Sequence, residues 1–420
     1  MEKRVIFHVD VNSAFLSWTA AYRIHALGER EDLRLVPSAV CGDRSERHGV
    51  ILAKSLPAGR MGVRTGEPLF QAQRKCPELL IVPPDYELYV QASRKFVAVL
   101  RQMSPAVEQY SIDEAWADMT GTEGLYGSPV AAAHALKDRI REELGFTVNI
   151  GVSSNKILSK TAGDFEKPDK VHTLFPEEMP EKFWPLGVRR LFSVGPATEQ
   201  KLGRYGIYTI GELAHADPAF LREKLGKHGE AVWHLANGRC PDAVAAAPAP
   251  NQGYSNSVTT AADVTEMAEA RQVLLSLCET VGMRMRRDGQ RGMCLTVHLR
   301  TAQFLDTSHQ IPLPSPTNVT AELYRAACMA LEQVWEERRQ PLRQLGVQVT
   351  RLRQDGEYRQ YSLFDSACYD RLEKVDAAVD ALREKFGEGV ILRARFLKNP
   401  EAHMAGGLSR HRRTGVTKEV

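Results

Sequence analysis

Residues 4–24 read RVIFHVDVNSAFLSWTAAYRI, and the fold turns on how this stretch divides. After Arg4, the stretch to Val11 is an apolar run of strand length interrupted only by His8 and Asp10, the pattern of a buried strand. Asn12 or Ser13 can cap a helix running through AFLSWTAAYRI. A strand therefore passes straight into a helix, with an acid at the junction.

Further along, residues 38–80 turn short, Gly-rich and basic (CGDRSERHGV, KSLPAGRMGVRTGEP), which suits a small mobile lobe better than a core. YVQASRKFVAVLRQM has helical apolar spacing, AVEQYSIDEAWADM reads as two tightly joined strands, VAAAHALKDRIREEL as an amphipathic helix and FTVNIGVS as a strand. The order β-α, insert, α-β-β-α-β resembles a ferredoxin-like unit carrying an inserted lobe. After Lys167-Pro168 the pattern becomes helical, with a helix starting at Gly195-Pro196, another opened by Gly206-Ile207, and a second such unit in LREKLGKHGEAVWHLANG. The Ala/Pro stretch AVAAAPAPNQG has no periodic face and reads as a linker. Residues 254–353 alternate strands (NSVTTAADV, CLTVHLR, LGVQVTRL) with two long helices, as in an α+β domain with its own core. Beyond them come QYSLFD, an amphipathic DRLEKVDAAVDALREKF and a basic tail.

At 420 residues and 43% hydrophobic the chain can bury several cores. No apolar run reaches the roughly 18 residues a membrane span needs, and no signal-peptide core precedes VIFHV, so a cytoplasmic protein is expected. Seven cysteines without a C-x-x-C pair argue against a disulfide framework or a zinc site. A net charge of +3 is too mild to name a partner. The arginines are unevenly placed, however: Arg284, Arg286, Arg287 and Arg291 precede one strand, and Arg338, Arg339, Arg343, Arg351 and Arg353 surround another. They form either solvated faces or a surface tracking a phosphate backbone.

Asp10 ends one apolar strand, and Asp113-Glu114 follow Ser111-Ile112 on another strand-like segment. Burying a carboxylate costs several kcal/mol unless a cation or hydrogen-bond donors offset it. Three that converge call for a divalent metal. A lone acid at a strand end is commonly only a turn or cap residue, so spacing by itself does not decide.

HVDVNSAF, YSIDEA and GVSSNKILSKTAGDFEKP, in that order, resemble the three palm signatures of the Y-family translesion DNA polymerases of the DinB/UmuC group. The resemblance extends over about residues 4–353. It implies an α+β right hand: a ferredoxin-like palm (1–13 and 85–175), small fingers (14–84), a helix-hairpin-helix thumb (176–242), a linker (243–253), an α+β little finger (254–353) and a tail (354–420). It also implies template-directed, low-fidelity addition of deoxynucleotides to a primer 3′ end, in DNA repair and the SOS response. Asp10, Asp113, Glu114 and the Val11 carbonyl would hold two Mg²⁺ ions. Phe15 falls at the steric-gate position, the amides of Asn12, Ser13, Ala14 and Phe15 at the helix start would suit a triphosphate, and Lys167 matches the palm lysine that reaches the phosphates.

One departure stands out. Where the family commonly has Ser-Tyr-x-Ala-Arg in the fingers, with Tyr and Arg on the triphosphate, this chain reads Ser55-Leu56-Pro57-Ala58-Gly59. Arg60 or Lys54 could substitute without the same bidentate geometry, so weaker or altered nucleotide binding is expected. Val50 and Leu52 would make a less roomy lid over the nascent pair. In the thumb, Ser193-Val194-Gly195-Pro196-Ala197 resembles a helix-hairpin-helix loop whose amides, around Gly195 and Ala197, meet a DNA phosphate. Arg284, Arg286, Arg287, Arg351 and Arg353 would add sequence-independent DNA affinity. Gln360-Tyr361-Ser362-Leu363-Phe364 resembles the peptide that docks on the sliding clamp (beta subunit), with Gln360 at the rim and Leu363 and Phe364 in the pocket. The helix at 370–386 could fold back on the clamp, on the little finger or on another partner. Primer-template DNA, dNTP and the clamp are the partners implied for a monomer with no membrane contact. The rival reading is a catalytically silent, clamp-binding DNA scaffold, favoured by the loss of the finger Tyr and Arg and opposed by the retained acids and Phe15. A nucleotidyl cyclase on a similar palm is disfavoured by the thumb and little-finger segments.

Overall fold

The computed structural model describes residues 4–42, 49–247, 250–335, 340–354, 366–397 and 403–404. They divide into two compact units, one of residues 4–41 and 51–247, the other of residues 42, 49–50 and those from 250 onward.

The first unit is organised by a five-stranded sheet. Its strands are β1 (Ile6–Val11), β5 (Ala106–Gln109), β6 (Glu114–Asp118), β7 (Val148–Ser153) and β8 (Val171–Thr173), in the order β5-β6-β1-β7-β8. Strands β2 (Ser38–Cys41), β3 (Ile51–Lys54) and β4 (Leu80–Val82) form a separate small sheet, ordered β3-β2-β4. In β1, Phe7, Val9 and Val11 join the core made with the helices Tyr86–Met103 and Pro129–Leu144. Period-two alternation turns His8 and Asp10 to the opposite face. That face is covered too, because the helix Lys156–Gly163, capped by the Asn155 side chain, lies against β7. Gly151 permits the approach: a Cβ there would sit 1.9 Å from the Ser159 carbonyl oxygen. The order of β5, β6, β1 and β7 is ferredoxin-like, as expected. The edge strand β8 was not foreseen and lengthens the sheet beside β7.

The helix after β1 runs Ala14–Leu27 and serves two cores: Ala14 and Trp18 face the main sheet, whereas Leu16 and Ala20 pack in the small lobe with Val40, Ala53 and Val82. That lobe also holds a cluster of Ala39, Cys41, Ile51, Ala58, Val63, Ala72, Cys76 and Leu79, so it has more core than its composition suggested. Helices Pro196–Gly203, Ile210–His215, Pro218–Leu225 and Lys227–Ala236 share a third core. The second begins at Ile210, not at Gly206-Ile207, because Thr209 and Glu212 form a reciprocal capping box there.

The second unit is a sheet of β9 (Gly253–Val264), β10 (Gln290–Thr301), β11 (Asp306–Thr317) and β12 (Leu342–Gln354), ordered β11-β10-β12-β9 and backed by helices Met267–Arg287 and Thr320–Trp335. Strand β11 escaped the sequence reading because Pro312, Pro314 and Pro316 break its pattern. It lies at the sheet edge, where a proline forfeits no ladder bond. The C-terminal helix Ser366–Phe386 docks on the helix Met267–Arg287 of the same unit, which settles the open question of where it folds. Ion pairs hold it: Arg286 with Asp380 and Asp376, Arg291 with Glu373, and Arg383 with the buried Glu279.

Candidate metal and nucleotide site

Asp10 on β1 pairs in register with Glu114 on β6, and directly opposed residues of antiparallel strands point to one face. Asp113 lies just before β6, in the turn, not on the strand as the sequence suggested. The Val11 amide donates to its carbonyl (3.0 Å), and the Ser111 hydroxyl donates to its Oδ1 (2.6 Å). Backbone pairings across more than 100 residues thus bring the three acids to the end of β1.

Each outer carboxylate faces a lysine. Lys167 Nζ lies 2.5 Å from Asp10 Oδ2 and 2.8 Å from Asp164, while Lys160 Nζ lies 2.6 Å from Glu114 Oε2. His8, buried and packed on Trp116, sets Nε2 3.7 Å from Glu114. Burial pushes Asp10 up to about 7 against the pull of Lys167, with help from Glu114 and Asp113. Asp113 is also raised, chiefly by burial. Glu114 goes the other way: burial opposes its charge, but hydrogen bonds from His8 and Lys160 and the Lys160 charge hold it down at about 2. His8 is itself lowered by burial.

Among the described residues no three His, Cys, Asp or Glu side chains converge closely enough to coordinate an ion. The donors nonetheless fit one: all are hard oxygens, and the raised Asp10 and Asp113 carboxyls show how much their charge needs a cation. Closing the cluster requires Lys167 to leave Asp10. Sequence reasoning missed His8 and Lys160 as members of this site. Their signal was alternation, which places His8 on the Asp10 face, and helical spacing, which places Lys160 one turn after Lys156.

Phe15 stacks on Tyr89, with ring centroids 4.4 Å apart and planes 7° apart, and meets Tyr86 edge-on. The Thr19 hydroxyl donates to the Phe15 carbonyl and also contacts the Tyr89 hydroxyl, so the ring's support is itself held. Asn12 must be corrected. Its amide donates to the Thr147 carbonyl and so is already engaged, while its side chain bonds Asn149, Thr147 and the Asp169 amide. Ser13, with φ 46°, starts the helix without a side-chain cap. The amides of Ser13, Ala14 and Phe15 stand in the first turn, where no intrahelical acceptor exists. Arg60 is exposed at the end of the short helix Leu56–Arg60.

Gly195 precedes the helix Pro196–Gly203, and a cleft of about 410 Å³ opens beside it, lined by Lys160, Asp164, Arg189, Arg190 and the loop Leu191 to Gly195. Ala197 is exposed on that helix. In the second unit Arg351 and Arg353 are exposed at the end of β12, and Arg287 is exposed next to Asp288. Arg284 lies over the Tyr254 ring and donates to the Ser255 carbonyl. Arg286 is the second correction. Its side chain is 11% exposed and is spent on Asp380, Asp376 and the Asn318 carbonyl, so it anchors the C-terminal helix and does not reach toward a phosphate. Gln360, Leu363 and Phe364 lie outside the described residues. No helix among the described residues is long and apolar enough to cross a membrane.

Residues 9–164 match the impB/mucB/samB family and residues 251–363 match that family's C-terminal domain. DNA polymerase IV of Clostridium acetobutylicum is 41% identical over 399 residues, covering 95% of this chain and 99% of that protein. DNA polymerase IV 2 of Bacillus subtilis is 34% identical over 405 residues, covering 94% and 95% respectively. Among solved structures, a Y-family DNA polymerase chimera superimposes with a TM-score of 0.70 at 19% identity, over 83% of this chain and 98% of that one, a likeness of fold.

Proposed function

The chain belongs to the impB/mucB/samB family of Y-family DNA polymerases, and on that premise we propose that Asp10, Asp113, Glu114 and the Val11 carbonyl hold two Mg²⁺ ions for nucleotide addition. Its activity is that of a DNA-directed DNA polymerase of the translesion kind. When bound, such a pair of ions lowers the pKa of a primer 3′-hydroxyl and neutralises the triphosphate and leaving pyrophosphate. The protein's own part is positional. Asp10 and Glu114 offer their carboxylates from one sheet face, and Lys167 turns from Asp10 to the phosphates. The amides of Ser13 to Phe15 take anionic oxygens at a helix start. Phe15, wedged against Tyr89, fills the space a 2′-hydroxyl would need.

In this reading the five-stranded sheet is the palm, residues 14–84 the fingers, 176–242 the thumb, and 254–353 the little finger. Gly195, Ala197, Arg284, Arg287, Arg351 and Arg353 meet the backbone of primer-template DNA. Gln360, Leu363 and Phe364 engage the sliding clamp, and the enzyme works as a monomer on DNA in the cytoplasm, in the SOS response.

The observation that carries the metal assignment is the register of Asp10 with Glu114, with Asp113 bonded to Val11. Primer extension with Mg²⁺ and dNTPs tests it, with Asp113→Asn beside wild type. Extension by wild type alone supports the reading. Equal, negligible extension by both would leave only a DNA scaffold.

A further inference from the structure

In place of the finger Tyr and Arg, this chain has Leu56 and Gly59, and the structure shows what fills the room. A Cβ on Gly59 would stand 2.7 Å from Lys54 Nζ and 3.7 Å from its Cε. The Lys54 ammonium therefore occupies the space into which any side chain at position 59 would start. Lys54 ends β3, on the same side of the strand as Leu52, two residues before it. Leu52 and Phe15 both pack against the cluster of Leu16, Ala20, Val40 and Ala53, and the helix Ala14–Leu27 lies against β3. Lys54 thus ends the strand whose Leu52 shares a hydrophobic cluster with Phe15.

Its electrostatic situation differs from that of the two lysines at the acid cluster. Lys167 is paired with Asp10 and Asp164, and Lys160 with Glu114. Lys54 is half-buried, and among the described residues no carboxylate or hydrogen-bond acceptor engages its ammonium. An ammonium without a partner keeps its three donors open to an anion. Arg60 is placed differently: one residue past Gly59 on a helix, it leaves about 100° around the axis and is exposed.

We propose that Lys54, reaching over Gly59, is the finger residue that binds the nucleotide's terminal phosphates in this chain, with Arg60 uninvolved. The proposal rests on the polymerase reading and names a specificity residue within it. An ammonium is a compact point charge and makes no bidentate fork, so it discriminates by charge more than by orientation.

The test is nucleotide affinity in the ternary complex of the full chain with a dideoxy-terminated primer-template and Mg²⁺, where no chemistry follows. Lys54→Gln should weaken dNTP binding about tenfold or more, the scale of one charged hydrogen bond, and leave deoxynucleoside monophosphate binding unchanged. Gly59→Arg in the Lys54→Gln background should restore dNTP affinity, a rescue no folding defect could give. Arg60→Ala should have no effect. Unchanged dNTP affinity in Lys54→Gln, or the tenfold loss appearing in Arg60→Ala, overturns the assignment. Wild-type primer extension, measured separately, reports whether the polymerase reading itself holds.

Discussion

Replacing Arg286 by Ala separates two accounts of the same residue. Its guanidinium donates to both Asp380 oxygens, at 2.6 and 3.0 Å, and to the Asn318 carbonyl at 2.7 Å, and lies 3.3 Å from Asp376. Asp376 keeps other partners, the Thr320 amide at 2.7 Å and Arg393 at 3.6 Å. Asp380, 20% exposed, loses its guanidinium. Breaking a buried pair by removing one partner costs about 3–5 kcal/mol, and Asp380's partial exposure argues for the low end, about 3. For a unit of this size that lowers its Tm by roughly 6–12 °C. The helix Ser366–Phe386 should lose amide protection first, since Arg286 is one of its main anchors. The assays are thermal unfolding and hydrogen exchange of the full chain, beside DNA binding across a salt series. A DNA-contacting arginine behaves otherwise: affinity falls, the salt slope drops by about one unit, and stability holds. That second pattern would refute the anchoring role.

Asp10→Asn should abolish extension yet raise the stability of the metal-free protein at pH 8, by about 1 kcal/mol or more. Asp10 titrates near 7 when folded, against 3.8 for the free side chain, so its share of stability is intact below about 3.8 and is lost as pH rises through 7. Denaturation at pH 8 and pH 3.5 should show the gain only at the higher pH, and Mg²⁺ should narrow it by stabilising wild type alone. Glu114, held at about 2, has the opposite sign: Lys160→Ala should cost stability at pH 7, with the difference vanishing as pH falls toward 2. Phe15→Ala should admit ribonucleotides, read as the ratio of rNTP to dNTP incorporation, and unchanged sugar selection would remove Phe15 from the gate. Replacing Leu363 and Phe364 together by Ala should abolish clamp pull-down with extension on short primers intact.

The strand from Ile6 to Val11 and the ferredoxin-like order were legible because apolar runs and periodicity are local signals, whereas the acids at positions 10, 113 and 114 were singled out only by the family resemblance. The second unit's edge strand was not, since its prolines carry the mark of a loop and only an unpaired edge excuses them. The capping box at Thr209 was readable in principle, as Thr-x-x-Glu, and was overlooked in favour of a nearby glycine.

What the sequence determined by itself is an inventory of candidates: three acids in apolar text, the aromatic that follows the first, and, through the family resemblance, the finger residues that are missing. The tertiary structure decided who partners whom. Arg286 and Asp380 lie 94 residues apart, Lys167 and Asp10 157 apart, and no local periodicity encodes such a pairing. An arginine run therefore looked uniform in sequence while two members, Arg286 and Arg291, were spent on carboxylates of the C-terminal helix. Likewise Arg60 was the finger cation the sequence favoured, with Lys54 as the alternative, and only the structure shows that Lys54 lies over Gly59.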